Sequence, residues 1–441
     1  MTLDAWLDLL EQRHPQAIEL GLERCGEVYK RMGSPRPANK VFTVAGTNGK
    51  GSTVAYLSAM LGSLGQTCGT FTSPHIFRFN ERISVMGDLV SDSCLVRAFE
   101  EVEAARGEVS LTYFEFTTLA GLLILSQSEL DCAVLEVGLG GRLDAVNLVD
   151  TDCAIITPIG LDHQEFLGPD LISIAAEKAG IIRPGAPVVC TQMSPPKPIL
   201  QTAASLQAPV YLRGRDFDLV ENTASDTGLL QFSLGGQSMT VSSPAMGGKY
   251  QIDNLSAALA ALLVLNPGCL VKANEISMAI QNCMVPGRLQ KVFSSPEILL
   301  DVGHNELAAN ALADFFEDSH RVPIICVLAM LADKSAEAVA LAMGHICQSW
   351  LCADSPGPRG QSGECLAQRI RVTLPGAKVN AFGSLDEALQ TALLTAQNNE
   401  TILVFGSFST VSAATLWVQN SLKHSGHDAD RITGGESGKS P

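Results

Sequence analysis

A chain of 441 residues exceeds one ordinary core, and its 46% hydrophobic against 17% charged residues exclude a disordered or coiled-coil protein. With 30 Lys+Arg against 46 Asp+Glu, the formal charge of -16 opposes binding to nucleic acid or to an anionic membrane surface. The 12 cysteines include no C-x-x-C pair, which argues against a zinc site and for free thiols in a reducing cytoplasm. Acids at Asp4 and Asp8 stand where a signal peptide needs basic residues, and no apolar run approaches the ~20 residues of a bilayer span. The expected location is therefore cytoplasmic, with no nucleic-acid or membrane partner.

In chain order, the apolar run Val41–Ala45 reads as a buried strand, and Val54, Leu57, Met60 and Leu61 share one face of the helix after it. Further strands are expected at Cys132–Val137, Cys153–Thr157 and Pro187–Cys190, alternating with helices as in a mostly parallel sheet. Residues 205–248 change character: short β-like pieces at Leu229–Leu234 and Ser238–Val241 between Gly/Ser/Asp-rich turns read as a small β appendage. After the Pro286-Gly287 turn a second α/β series begins, with strands at Ile298–Val302, Ile324–Met330, Trp350–Ala353, Val379–Phe382 and Ile402–Phe405. In its first helix Leu307, Ala308, Ala311, Leu312, Phe315 and Phe316 are expected on one face, and Ser384 with Glu387 is expected to form a capping box. The fold class is α/β: an N-terminal P-loop-type, mostly parallel sheet domain with a small β appendage over 1–286, and a C-terminal Rossmann-like α/β domain over 287–423. A polar tail over 424–441 is expected to be disordered.

The chemistry begins where the first strand ends, at Gly46-Thr47-Asn48-Gly49-Lys50-Gly51-Ser52. Free N–H groups at a helix N-terminus favour an anion, glycines let the backbone come close, and Lys50 adds a mobile charge. The strict P-loop pattern is not met, because Val44 occupies the place of its first glycine and Gly51 separates Lys50 from Ser52. A compact variant that binds a polyphosphate is the better reading, against a glycine turn with a solvated lysine. Glu136 closes a buried strand and needs a partner, either Mg²⁺ or the N–H groups of the following glycine turn. His163, after Asp162, belongs to the same rim as a structural histidine or a metal ligand, and Ser73 offers a hard oxygen. Lys178 lies in an apolar helical stretch, where composition alone gives no more than a solvated or Glu-paired lysine. In the second domain Asp301-Val302-Gly303-His304-Asn305 repeats the strand-turn-helix layout, and Arg288 is placed to reach a phosphate across an interdomain cleft or to lie on the surface.

Together, Gly46–Ser52, Thr72-Ser73-Pro74-His75, Asn80-Glu81-Arg82-Ile83, Glu136–Asp144, Leu161-Asp162-His163, Glu177–Ile181 and Pro286-Gly287-Arg288 resemble the folylpolyglutamate synthase/dihydrofolate synthase family, a branch of the Mur-type ligases. The resemblance runs from about residue 5 to 420. It implies ATP contacts from Thr47, Asn48, Gly49, Lys50, Gly51, Ser52, Asn254, Arg288, Asp301 and His304. It also implies Mg²⁺ held by Ser73, Glu136 and His163, and a carbamylated Lys178. A pterin or folate site is implied at Gly21, Leu22, Thr112, Tyr113, Phe114, Glu115, Leu143, Asp144 and Ala145, and glutamate contacts at Ser407 and Ser409. The family's second-domain motif carries alanine and proline where this chain has Gly303 and Glu306.

The activity so implied is ATP-dependent ligation of L-glutamate to dihydropteroate and to reduced folates through an acyl phosphate. Alternatives are one of the two synthase activities alone, a Mur-type ligase acting on another carboxylate, or a slow nucleotide-hydrolysing switch. ATP and Mg²⁺ are the expected cofactors, with a monovalent cation such as K⁺ as an open addition, and the expected state is a monomer.

Overall fold

The computed structural model describes residues 1–14, 18–221, 228–397 and 400–422, and the expected tail over 424–441 lies outside them. The chain forms two units, one of Met1–Ala245 with Lys249–Val285 and one of Met246–Gly248 with the chain from Pro286 onward.

The first unit is built on β1 (Lys40–Ala45), β2 (Cys68–Phe71), β3 (Ile83–Val85), β4 (Asp88–Leu89), β5 (Cys132–Glu136), β6 (Cys153–Ile156), β7 (Val188–Cys190) and β8 (Val210–Leu212). They form one sheet in the order β4-β3-β2-β5-β1-β6-β7-β8. β2 to β8 along that order are parallel, while β3 and β4 fold back antiparallel at the edge. Strands covered on both faces are mostly apolar, and β5 and β6 are buried at every position, with Glu136 the one charged residue in them. The chain runs from β1 outward to β2, returns to β5, and then crosses β1 to β6, so the strand order reverses around β1. In open α/β sheets the crevice for ligands lies at the carboxyl ends beside such a reversal.

One face of this unit is sealed by Trp6, Phe79, Phe99 and Phe116, whose rings meet edge-on or stacked at 5.5 to 6.1 Å. A three-stranded antiparallel sheet of β9 (Phe217–Glu221), β10 (Leu229–Leu234) and β11 (Gln237–Ser242) forms the expected appendage. Its buried side chains alternate along each strand (Phe217 and Leu219, Leu230 and Phe232, Met239 and Val241), so one face is covered. The helices Lys249–Leu265 and Ala273–Asn282 pack against it.

The second unit holds β12 (Gln290–Ser294), β13 (Glu297–Asp301), β14 (Ile324–Leu328), β15 (Cys347–Ala353), β16 (Val379–Phe382) and β17 (Thr401–Phe405), in the order β12-β13-β17-β14-β15-β16. Only β12 is antiparallel. Two local expectations are corrected. The buried stripe of the helix Glu306–Asp318 is Ala309, Leu312, Ala313 and Phe316, at i, i+3, i+4 and i+7, whereas Leu307, Ala308, Ala311 and Phe315 are half-buried. At Ser384 only the forward half of the capping box forms, with Glu387 N–H donating to Ser384 Oγ at 3.2 Å.

All 12 cysteines are free; eight are buried, three half-buried and one, Cys365, exposed. Burial pushes the buried thiols upward, to about 12 at Cys25, Cys283 and Cys352. Among the described residues no helix is long and apolar enough to cross a membrane.

Candidate active site

The glycine turn after β1 leads directly into the helix Lys50–Ser63, whose N-cap, Gly49, has the left-handed φ of 87°. Glycine is required there twice over, because a Cβ would also collide with Asn254 Oδ1. A Cβ on Gly46 would collide with Thr157 Oγ1 at the end of β6. The turn is therefore clamped from both sides. Thr47 N–H donates to Pro158 O at 2.8 Å, and the Thr47 hydroxyl donates to Gly160 O at 3.1 Å while accepting Gly160 N–H at 3.0 Å. From the other side Asn254 Nδ2 donates to Gln251 Oε1 (3.2 Å), and Gln251 Nε2 donates to Ser52 Oγ (3.4 Å). Gln251 and Asn254, both buried in the helix Lys249–Leu265, thus tie the hydroxyl of the turn to a second element.

Two lysines converge on one carbonyl of this turn. Lys50 Nζ donates to Gly46 O at 3.2 Å and Thr47 O at 3.1 Å, and Lys178 Nζ donates to Gly46 O at 2.8 Å. Lys178, on the helix Leu171–Ala179, is 3% exposed. This overturns the solvated or Glu-paired lysine read from composition; Glu177 pairs with Arg142 instead. Burial first, and then the charge of Lys50, lowers Lys178 to about 7, so a large fraction of it is a neutral amine near neutral pH.

Glu136 ends β5 beside β1, is 5% exposed, and accepts Ser73 N–H at 3.2 Å through Oε2. That bond ties the end of β5 to Ser73, just after β2. His163 begins a short helix at φ 52°, with its Nε2 3.9 Å from Asp162 Oδ1. Among the described residues no group of three or more His, Cys, Asp or Glu is placed to hold a metal by itself. The Ser73 hydroxyl and the Glu136 carboxylate offer hard oxygens of the kind that Mg²⁺ takes, and Mg²⁺ needs few protein ligands because water and phosphate oxygens complete its shell.

The segments with the implied pterin contacts lie on the β2–β5 side. Glu115 is buried: Oε2 accepts Thr112 N–H at 2.8 Å, Thr112 Oγ1 accepts Glu115 N–H in return, and Arg24 donates to Glu115 Oε1 at 3.0 Å. Asp144 caps the turn Ala145–Leu148 through Val146 N–H (2.9 Å) and accepts Leu139 N–H at 2.8 Å. Burial raises its carboxyl to about 6 against these bonds. Both acids hold their own segments in place. Gly21 and Leu22 lead into the helix Glu23–Arg31, Phe114 covers Gly138, where a Cβ would not fit, and Leu143 directly precedes Asp144.

In the second unit Asp301, at the end of β13, accepts Leu289 N–H (2.9 Å) and Gly303 N–H (2.7 Å), and burial raises its carboxyl. Val302 N–H donates to Gly287 O, so the turn carrying Arg288 is stapled to the exit of β13. Arg288 lies 5.6 Å from the Phe408 ring centroid, His304 Nδ1 is 2.8 Å from Val302 O, and Asn305 caps the helix Glu306–Asp318. Ser407 Oγ is 2.9 Å from Ser409 Oγ and 2.6 Å from Thr410 Oγ1, and it accepts Thr410 N–H at the start of the helix Phe408–Leu422.

The chain is similar to known proteins along most of its length. The Mur ligase middle domain family matches residues 44–262, and the Mur ligase glutamate ligase domain family matches 287–408. The dihydrofolate synthase/folylpolyglutamate synthase of Escherichia coli is 38% identical over 411 residues, covering 93% of this chain and 94% of that protein. The protein of the same name from Haemophilus influenzae is 34% identical, covering 93% and 96%. The chain belongs to the dihydrofolate synthase/folylpolyglutamate synthase family. Among solved structures, E. coli FolC in complex with DHPP and ADP has a TM-score of 0.88 at 36% identity, covering 96% of this chain and 99% of that one. A bifunctional folylpolyglutamate synthase/dihydrofolate synthase with Mn, AMPPNP and L-glutamate bound has a TM-score of 0.83 at 36% identity, covering 94% and 98%.

Within this family framework, the fold brings Thr47 to Ser52, Asn254 and Lys178 onto one turn, and Ser73 onto Glu136. Sequence reading missed Gln251, Thr157 and the placement of Arg82. Arg82 was visible only as part of the motif Asn80-Glu81-Arg82-Ile83, and its partners are distant in the chain.

Proposed function

We propose that this chain joins the amino group of L-glutamate to the carboxylate of dihydropteroate, and to the terminal carboxylate of reduced folates, at the expense of ATP. The observation that carries the reading is the convergence of the Gly46–Ser52 turn, Lys50 and Lys178 on one carbonyl, beside Glu136 and Ser73. We assign ATP to Thr47–Ser52, Asn254, Arg288, Asp301 and His304, and Mg²⁺ to Ser73, Glu136 and His163.

A carboxylate is a poor electrophile, so its oxygen first takes the γ-phosphoryl group. The glutamate amine then attacks the acyl carbon, and phosphate leaves from a tetrahedral intermediate. N–H groups at the head of the helix Lys50–Ser63 hold phosphate oxygens, and Lys50 exchanges its two carbonyl partners for them. The bound cation supplies positive charge that lets two anions meet. Lys178, as a neutral amine, adds its lone pair to the carbon of CO₂ and gives up a proton, which leaves a carbamate anion beside the phosphate turn.

Thr112, Glu115 and Asp144 frame the pterin site, with Gly21, Leu22, Tyr113, Phe114, Leu143 and Ala145 as its walls, while Ser407 and Ser409 serve glutamate. The working state is a monomer in the cytoplasm, where 12 free thiols are stable.

The test is phosphate release from Mg-ATP with L-glutamate and dihydropteroate, tetrahydrofolate or no acceptor, with products identified by mass. Glutamate addition to both acceptors is expected. Addition to one alone narrows the assignment to that synthase, and addition to neither refutes it in favour of a Mur-type ligase on another carboxylate.

A further inference from the structure

Arg82 is 8% exposed, yet its guanidinium is only partly satisfied. Nε donates to His75 Nδ1 at 2.9 Å, and among the described residues neither Nη meets a protein acceptor. Neither Nη belongs to the polar atoms sealed away from solvent, so this end of the side chain opens to accessible space. The nearby acids are engaged elsewhere. Glu81 accepts the N–H groups of Ile76, Phe77 and Arg78, and Glu136 accepts Ser73 N–H. Glu136 and Glu81 act on Arg82 through space without taking a hydrogen bond from either Nη, and two parallel N–H groups on a rigid fork match a carboxylate.

The fork is also fixed in direction. Its Cζ lies 5.3 Å from the Phe79 ring centroid and 5.6 Å from that of Tyr113, and Thr72 N–H donates to Arg82 O at 2.8 Å, next to Ser73. Phosphate has its own turn, with Lys50. Glutamate is assigned above to Ser407 and Ser409, whereas Tyr113 belongs to the segment assigned to the pterin, so the anion that matches Arg82 is the acceptor's reacting carboxylate.

We propose that Arg82 is the acceptor-carboxylate clamp, its two Nη groups gripping the carboxylate that is phosphorylated and holding it beside Ser73 and Glu136. This rests on the ligase reading above.

The test compares binding of dihydropteroate with that of its neutral carboxamide to the full chain in the presence of Mg-AMPPNP, for wild type, Arg82→Met and Arg82→Lys. A charge-assisted bidentate contact predicts that wild type favours the acid by about 10- to 100-fold. Arg82→Met should bring this preference within about threefold of unity while leaving Mg-AMPPNP affinity within about threefold of wild type. Arg82→Lys, which keeps the charge without the fork, should fall between them and serves where the Met variant does not fold. Absence of the preference in wild type overturns the proposal, as does its survival in Arg82→Met. An equal loss of Mg-AMPPNP affinity reassigns Arg82 to the nucleotide and also overturns it. Failure of wild type to ligate glutamate would instead bring down the ligase reading, so the two failures are distinct.

Discussion

Replacing Lys178 by Met removes a buried cation and keeps an unbranched chain of similar volume. In an unfolded chain a lysine titrates near 10.5, whereas in the fold Lys178 titrates at about 7. Between those values the unfolded state holds more protons than the folded one. Stability therefore rises with pH from about 7 to 10.5, and the full cost of the buried amine is present below pH 7. That interval corresponds to at most about 5 kcal/mol. Losing the bond to Gly46 O takes back about 1 kcal/mol. Lys178→Met should thus be more stable than wild type by about 2 to 4 kcal/mol at pH 6.5, with the gap closing as pH approaches 10. Urea unfolding of both proteins in CO₂-depleted buffer at pH 6.5 and 9.5 measures it, and subtracting the curves cancels the other titrating groups. Bicarbonate should then stabilise wild type and not the variant, and labelled bicarbonate should give a carbamate signal in wild type alone. A gap of equal size at both pH values would refute the reasoning.

Gly49→Ala forces a left-handed alanine, at about 1 to 2 kcal/mol, and drives its Cβ into Asn254. Calorimetric titration with Mg-ADP should show at least about a tenfold loss of affinity, and unchanged affinity would count against the turn as the phosphate site. Asp144 titrates at about 6 against an ordinary 3.8, so its folded form gains a proton first and wild-type stability falls as pH rises from about 4 to 6. Across that range wild type should lose about 3 kcal/mol relative to Asp144→Asn in paired unfolding curves; parallel curves would contradict the burial argument. Ser407→Ala removes the acceptor for Thr410 N–H and should lower the stability of the second unit by about 1 to 2 kcal/mol. A melting curve identical to wild type would mean that the hydroxyl serves only a ligand.

The strands that position the site were legible because a strand buried on both faces has no polar alternation to hide it. β1, β5, β6, β14 and β17 are such runs, and the phosphate turn follows the first of them. β2, β3, β4, β8, β9 and β12 were not read: the first four are too short to show a period, and β9 and β12 lie at sheet edges. The glycines of the turn were legible as a motif, but the reason for Gly49 is a side chain about 200 positions away. Lys178 shows the same limit. In sequence, a lysine among alanines and isoleucines reads alike whether it reaches water or a buried carbonyl, and only the packing of the helix Leu171–Ala179 decides. Arg82 went unread for the same reason, since Tyr113, at the head of a helix, and Glu136, at the end of β5, lie far from it in the chain.

The distribution of thiols has a practical consequence. Eight of the 12 cysteines are buried, and burial lifts Cys132 and Cys190 to about 11 and Cys25, Cys283 and Cys352 to about 12, which starves them of the thiolate that alkylating reagents require. Cys365, at the start of the helix Gly363–Thr373, alone is exposed. The unmodified protein therefore carries its own attachment point for a fluorophore or spin label, away from the Gly46–Ser52 turn in sequence and confined to the second unit. A label there reports on the second unit without engineering a single residue.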